Sequence, residues 1–482
     1  MMMLKQMKAM QMLSLETAQR IKKMQKIRPF VLLLPLVLTS CATFSTDGGF
    51  VAVEKSTQTY IKQKPIWANS EVQKQAAAEQ LAALLAKPLN VGDAVQIALI
   101  NNANLQANFY DLQIAEANVV QAGRLPNPIF DMLYAKKGSE FKIEQALAFN
   151  ILALFTIPKA SAIEKQHFAA TQNKVVLQVL DTARQTRNAY YDALATRESV
   201  KYLTQVNDSA AATAEFAKRM QNAGNFSELD KAREQVFYAD AALELAHAKN
   251  SQVQAEEALT RLLGLHERTA FTLPERLPDL PKSNDDLKEV KSEGFAKRLD
   301  IVQMRSQTEA LASQLGLTKA TRFVNVLELG PARELEGKRG DPYKKGVTLS
   351  FDLPIFDWGQ SKVKRAEATY MQSLQHSANL AVVAASQVRS HYAQYQASYA
   401  IAQYYRDDVV PLRKKMLQEN LLRYNGMLIG PFDLMADARA QVQSVNSYIA
   451  ALRDFWVADS NLEMVLVGEP VSGESMNMNE GF

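Results

Sequence analysis

The chain has one cysteine, Cys41, in 482 residues. No disulfide can therefore close within it, and stability must come from packing and assembly even in an oxidising compartment. Beyond the first forty residues no apolar run reaches the length of a membrane helix, so any bilayer crossing would have to use strands. Zinc-type Cys/His spacing, aromatic RNA-binding signatures and long basic blocks outside the leader are missing. With a formal charge of only +4, nucleic acid is a poor partner. There is no Walker loop, dinucleotide loop or zinc-protease motif. The five histidines are scattered, and Glu164 with His167 lacks the second Glu-x-x-His that a di-iron bundle needs. These absences argue against an enzyme and against a cofactor. Met476 and Met478 carry thioethers of the kind that bind Cu(I), but one pair in a loose tail is not read as a metal site.

Proline and glycine are absent over residues 159–222. Roughly 64 residues can therefore run as one helix of about 96 Å, three times the thickness of a bilayer's hydrocarbon core. Residues 360–425 give nearly the same length, with a kink or break expected at Pro411. Shorter helices are expected over 89–100 with Asn90 as cap, and over 104–124, 227–263, 300–321 and 432–466. Two short helices stacked end to end match one long one, so each half of the chain can form a pair of columns. Their turns fall at residues 223–225 and 426–431. Abundant alanine lets such columns approach closely, and the sparse large apolar residues imply a thin wall that is wet on one face.

At the other end of each column the period changes from helical to two. Ile143, Leu147, Phe149 and Ile151 alternate with Glu144, Ala146, Ala148 and Asn150. Val347, Leu349, Phe351 and Leu353 alternate with Thr348, Ser350 and Asp352. One face is apolar and the other polar, which suits a barrel strand with lipid outside and water inside, although a strand on a soluble core shares the pattern. Residues 323–329 are expected to pair with the second of these strands across a loop at 330–345. The segments Ile151–Pro158 and Leu353–Gly359 lie about 200 residues apart, and each is read as closing a strand and opening a long helix, one unit used twice. Four strands alone leave two open edges that lipid will not tolerate, so several copies must share one closed barrel.

Lys22, Lys23, Lys26 and Arg28 precede the apolar stretch Phe30–Leu38 and then Leu38-Thr-Ser-Cys41, a secretion leader with roughly nine apolar residues. The run resembles a bacterial lipobox. It implies cleavage after residue 40, lipid on Cys41 and a true start at Met24, and Ala42 in place of a retention aspartate implies the outer membrane. Residues 41–88 are read as an extended, lipid-anchored arm.

Five segments carry a resemblance to the TolC-type outer-membrane efflux channels, here in a lipoprotein form. They are Leu353–Gly359, the helix stop Leu125–Pro128, the opening Arg298–Ile301, and the turns Gly224–Leu229 and Gly430–Leu434. The resemblance spans about residues 89–468, and Phe155–Pro158 departs from it by lacking the Asp-Trp-Gly turn. The chain then divides into a leader (1–40), arm (41–88), first repeat (89–264, strands about 129–152), linker (265–294), second repeat (295–468, strands about 323–353) and tail (469–482). The resemblance implies a mainly α chain with a small β part and two tandem repeats, each a long-helix hairpin plus two strands. Three copies would form a twelve-stranded outer-membrane barrel continuous with a twelve-helix periplasmic tunnel, coupled through a periplasmic adaptor to an inner-membrane pump. The competing reading is a lipid-anchored periplasmic adaptor or scaffold, which predicts one hairpin flanked by small β-domains.

That resemblance places constricting carboxylates near the tips: Asp433, with Glu228 and Asp437 as further candidates. The bland alternative is helix capping, since acids near a helix start favour its dipole. Gly224, Phe226, Gly430 and Phe432 are candidates for touching the adaptor, although the two glycines would also serve simply to reverse the chain. Pro354, Phe356, Asp357, Trp358 and Gly359 form the strand-to-helix junction. Trp358, Phe356 and Tyr343 are candidate anchors at the barrel's interfaces.

Overall fold

The computed structural model describes residues 43–267, 270–282, 298–324, 326–338 and 340–470. The leader, the Met24 start, Cys41, much of the 265–294 linker and the tail from 471 with Met476 and Met478 lie outside the described residues. The rest is mainly helical, with one four-stranded sheet. No described helix is long and apolar enough to cross a membrane. The chain divides into two compact units, a sheet unit built on Glu116–Glu164 and Ala320–Trp358 and a helical unit built on Asp47–Ala115, Lys165–Lys319 and the residues from Gly359 on.

In the sheet unit, β1 (Ile129–Lys137), β2 (Glu140–Asn150), β3 (Leu327–Gly337) and β4 (Lys344–Phe351) pair antiparallel in chain order. The two-residue rhythm holds in β2 and β4, whereas β1 breaks it, with Ile129 and Leu133 on the face of Asp131. The expected loop at 330–345 is corrected: most of it is strand, and only the residues between Gly337 and Lys344 turn. Gly330 and Pro331 read as loop residues, yet the β4 ladder runs through both while the β2 ladder skips them, which removes the need for the missing Pro331 N–H.

The helices begin with α1 (Phe50–Tyr60) and α2 (Glu71–Leu85). The expectation of an extended arm over 41–88 is therefore corrected. Ser70 caps α2 by accepting from the Gln73 N–H, and Val53 and Trp67 are buried. Trp67 meets Tyr110 edge-on at 5.4 Å and packs on Phe109, so a stretch that looks polar by composition is pinned by a few large side chains. Next come α3 (Val91–Asn101), capped by Asn90 as expected, and α4 (Ala103–Ala122), which stops before the two prolines.

The longest helix, α5 (Ile151–Asn222), holds 72 residues. It starts eight residues before the expected Lys159, with Pro158 inside it, so Ile151–Pro158 is helix and not the end of a strand. Asn150 caps it through the Ala153 N–H at 3.0 Å. Then follow α6 (Glu228–Leu262), α7 (Leu299–Thr321), α8 (Gln360–Tyr404), a π turn at Tyr405–Val409, α9 (Val410–Asn425) and α10 (Pro431–Val467). The π turn sits just ahead of Pro411, where a break was expected. The wider turn is a known way to absorb a disturbed hydrogen-bond ladder.

Two joints in the helical unit have the same construction. Asn101 and Asn102 donate side-chain hydrogen bonds to the carbonyls of Leu262, Leu263 and Gly264, satisfying the orphan C-terminal groups of α6. At the other joint Asp300, at the start of α7, accepts from the Glu469 N–H beyond α10. A glycine with positive φ closes each: Gly264, where a Cβ would lie 2.2 Å from the Asn101 carbonyl oxygen, and Gly468, where it would lie 2.8 Å from Asp300. The core beside them includes Leu89, Tyr190, Leu259, Leu263 and Phe455. Buried alanines such as Ala193, Ala384 and Ala402 let the helix axes come close.

Candidate functional site

The pairing register sorts the sheet's side chains into two unlike faces. On one lie Phe130 opposite Leu147, Leu329 opposite Leu349, Leu327 opposite Phe351, and Val347. Phe130 is 60% exposed, Leu349 57% and Val347 73%. On the other lie Asp131, Glu144 opposite Glu334, Lys142 opposite Glu336, and Glu328 opposite Ser350. Lys142 bridges Glu144 and Glu334, and Lys344 meets Glu336 at 3.1 Å. Carboxylates outnumber cations on this polar face. Such a sheet cannot leave both faces in one solvent cheaply, because the apolar face loses about 25 cal/mol for every square ångström left in water.

At the first tip, Gly224 has φ 78° and open space around it, the left-handed conformation that lets the chain reverse. Phe226 packs edge-on to Phe216 at 6.4 Å. Glu228 is the first residue of α6 and pairs with Lys231 at 2.6 Å, while Ser227 supplies the cap. At the second tip the reversal is not made by Gly430, whose φ of −77° any residue could adopt. The left-handed position belongs to Met427, at φ 59°, with the Leu428 N–H closing back on the Arg423 carbonyl. That expectation about Gly430 is corrected, and Met427 gives no sequence signal because its type does not favour the conformation.

Asp433 reaches back to the Gly430 N–H at 3.3 Å and so caps α10, yet its side chain stays exposed. Asp437, one turn on, accepts from the Asn420 amide of α9. Phe432 is the second residue of α10. No contact joins Glu228 to Asp433 among the described residues. The charges that do join α6 to α10 are Glu234 and Arg439, 3.5 Å apart, with Glu234 only 2% exposed and the guanidinium 4.0 Å over the Phe237 ring. Residue type and spacing gave no warning of this pair.

At the strand-to-helix junction, Gly359 takes φ 71° as the N-cap of α8. Trp358 meets Phe323 edge-on at 6.2 Å. Phe356 is 98% exposed and so is not packed into the junction. Pro354 is half-buried and Asp357 exposed. Tyr343 lies under the Arg333 guanidinium at 5.0 Å.

The Arg298–Ile301 segment proves to be a buried electrostatic knot. Arg298 and Asp300 are each 1% exposed and form a bidentate pair at 3.1 and 2.6 Å. Arg298 also donates to the Ala384 carbonyl and the Gln387 amide oxygen of α8. Gln387 in turn donates to Glu469, so α7, α8 and the end of α10 are tied together. Along α10, burial pushes the Asp459 carboxyl up to about 6, reinforced by Glu463 and partly offset by Arg187. Tyr191, stacked on Trp456 at 5.5 Å, is raised by burial as well. Among the described residues no three His, Cys, Asp or Glu side chains form a group that could hold a metal ion.

No protein-family model matches the chain. It is similar to the cobalt-zinc-cadmium resistance protein CzcC of Cupriavidus metallidurans, with 24% identity over 399 residues, 79% of this chain and 90% of that protein. Its fold is similar to that of the outer membrane protein VceC of Vibrio cholerae, at a TM-score of 0.66 and 16% identity over 79% of this chain and 97% of the other. The outer membrane channel CmeC of Campylobacter jejuni matches at a TM-score of 0.63 and 17% identity, over 85% and 91%. With its five characteristic segments in order, a relative along most of its length and this shared fold, the chain resembles the TolC-type outer-membrane efflux channels.

Proposed function

We propose that the protein is the outer-membrane channel of a tripartite efflux or type I secretion system, a passive conduit filled by an inner-membrane pump through a periplasmic adaptor. The observation that carries this reading is the sheet with one exposed apolar face and one charged face. Lipid against the first and water against the second satisfies both. Three copies would close twelve strands into one barrel, removing the free edges of β1 and β4. The two similar joints, Asn101 and Asn102 against the end of α6 and Asp300 against the residues that follow α10, support two repeats whose short helices stack into columns beside α5 and α8. Lipid on Cys41 would hold the mature chain at the same membrane. The adaptor reading is disfavoured by two hairpins contributing to a single sheet.

The acid-rich polar face and the relative named for cobalt, zinc and cadmium resistance support divalent cations as cargo. A deletion strain tested for metal, drug and protein export checks this. Export of drugs alone would redirect it. For gating, three copies of Asp433 would ring the tip, exposed enough to narrow it while each caps its own helix. Asp433→Ala is expected to raise the conductance of reconstituted trimers, and unchanged conductance and selectivity would leave Asp433 only its capping role.

A further inference from the structure

The apolar face of the sheet is interrupted at one height. Counting from the helix end, its cross-strand rows are apolar until Met132, Gln145, Arg333 and Lys345, which stand opposite one another across all four strands. The next row toward the hairpin turns is Tyr134, Ile143 and Leu335, with Tyr343 just before β4. Two cations directly opposite each other on adjacent strands repel. The ion pairs described for this sheet, of Lys142 and Lys344, use carboxylates of the opposite face, and among the described residues neither Arg333 nor Lys345 has an acidic partner. Both are exposed.

Arg333 is nevertheless held in place. Its Nε donates to the Gln145 amide oxygen at 2.6 Å, and its guanidinium lies over the Tyr343 ring at 5.0 Å. That leaves the Nη groups available to an acceptor. A planar, pre-oriented guanidinium beside an ammonium is a phosphate-binding arrangement. Its height also matters: the guanidinium sits where the apolar rows end and the tyrosines begin, the level at which a bilayer changes from hydrocarbon to headgroup.

We propose that Arg333 and Lys345, positioned by Gln145 and Tyr343, bind the phosphate of an anionic lipid in the leaflet next to the hairpin turns. Its acyl chains lie along Val347, Leu349 and Leu329 below. The lipid phosphate supplies the negative charge that the face lacks, so the like-charged pair becomes an asset of the inserted state. This rests on the reading of the sheet as membrane-embedded. The opposite face is excluded as the site at this height, because Lys142 and Lys344 are already engaged by Glu144, Glu334 and Glu336.

The test uses full-length protein in maltoside micelles, with lipid retention read by native mass spectrometry. Phosphatidic acid is the probe, with phosphatidylcholine and inorganic phosphate as comparisons. Wild type is expected to hold phosphatidic acid at least tenfold more tightly than phosphatidylcholine. Millimolar inorganic phosphate should not displace it, since the acyl chains contribute. The double variant R333Q/K345Q should lose at least tenfold, Arg333→Lys an intermediate amount, and Lys142→Gln on the other face nothing. If the double variant does not assemble, Lys345→Gln alone serves, with a several-fold loss expected. Equal retention by the variants, or displacement by free phosphate, would overturn the lipid site. The membrane reading is tested separately in the same samples: a wild type that needs no detergent and conducts no ions removes it, whereas a conducting channel without lipid preference removes only this proposal.

Discussion

The helical unit gathers large apolar side chains into cores in which the strands of the sheet unit take no part, although its helices also leave some exposed, Leu243, Val382 and Leu422 among them. In the first, Phe109, Leu177, Phe455 and Leu259 have 0–1% exposure, whereas the strands of the second leave Phe130, Leu349 and Phe351 more than half exposed. On the proposed reading, the same chemistry under the same folding forces gives two outcomes because the two units face different surroundings. A helix bundle in water must hide its apolar stripe, while a strand in lipid must show its own. The sheet's polar face carries the complementary message, with acids and lysines paired where water is expected.

That comparison breaks most visibly at neighbouring positions of β4. Leu349→Arg puts a charge on the apolar face and is expected to cost about 2–4 kcal/mol of insertion, as charges do on the lipid side of barrels. Thr348→Arg, one residue away on the polar face, should be near neutral. Yields of membrane-inserted, heat-resistant oligomer in the two variants measure the difference, and equal tolerance would remove the asymmetry between the faces.

A comparable loss is expected in the helical unit from Asp300→Ala. It strands the Arg298 guanidinium, 1% exposed, without its carboxylate, and removing one partner of a buried pair costs about 3–5 kcal/mol. A lower unfolding midpoint should appear together with earlier proteolysis near the end of α10, where Asp300 accepts the Glu469 N–H. R298M/D300L replaces the whole pair and is expected to be less damaging than Asp300→Ala alone, because no charge is left buried.

Much of this architecture was legible in the sequence. The absence of proline and glycine over 159–222 set the long helix, the two-residue alternation set the strands, and Asn90 set a cap. What escaped notice did so for physical reasons. Charges and Gly330-Pro331 made a strand resemble a loop, because the chain alone does not reveal which ladder a proline can skip. Polar composition hid the packing of α1, which depends on Val53 and the neighbouring Trp67, and of α2, which leans on the core through Leu81, Leu84 and Leu85. Of the candidate residues, the tips fell where the turns fell. The pairing of Glu234 with Arg439 depends on tertiary contact between α6 and α10, which no local pattern records.

Smaller effects sharpen the picture of the helical unit. Asp459 has its carboxyl raised to about 6 by burial, so the folded state holds a proton that the unfolded chain releases nearer the usual 3.8. Its contribution to stability is therefore present below about pH 4 and falls as pH rises toward and through 6. Asp459→Asn should flatten this segment of the curve of unfolding midpoint against pH. An unchanged slope would mean that other groups set it. Smallest of all, Met427→Gly relieves a left-handed backbone at φ 59° and is expected to gain about 0.5 kcal/mol, read as a slight rise in unfolding midpoint.

Single-channel recording from detergent-extracted protein in a planar bilayer tests the central claim most directly. The account predicts stable, cation-preferring unitary currents from a heat-resistant oligomer, with the preference weakened when Glu328 and Glu334 of the polar face are neutralised. A monomer that stays soluble without detergent and leaves the bilayer silent would contradict it.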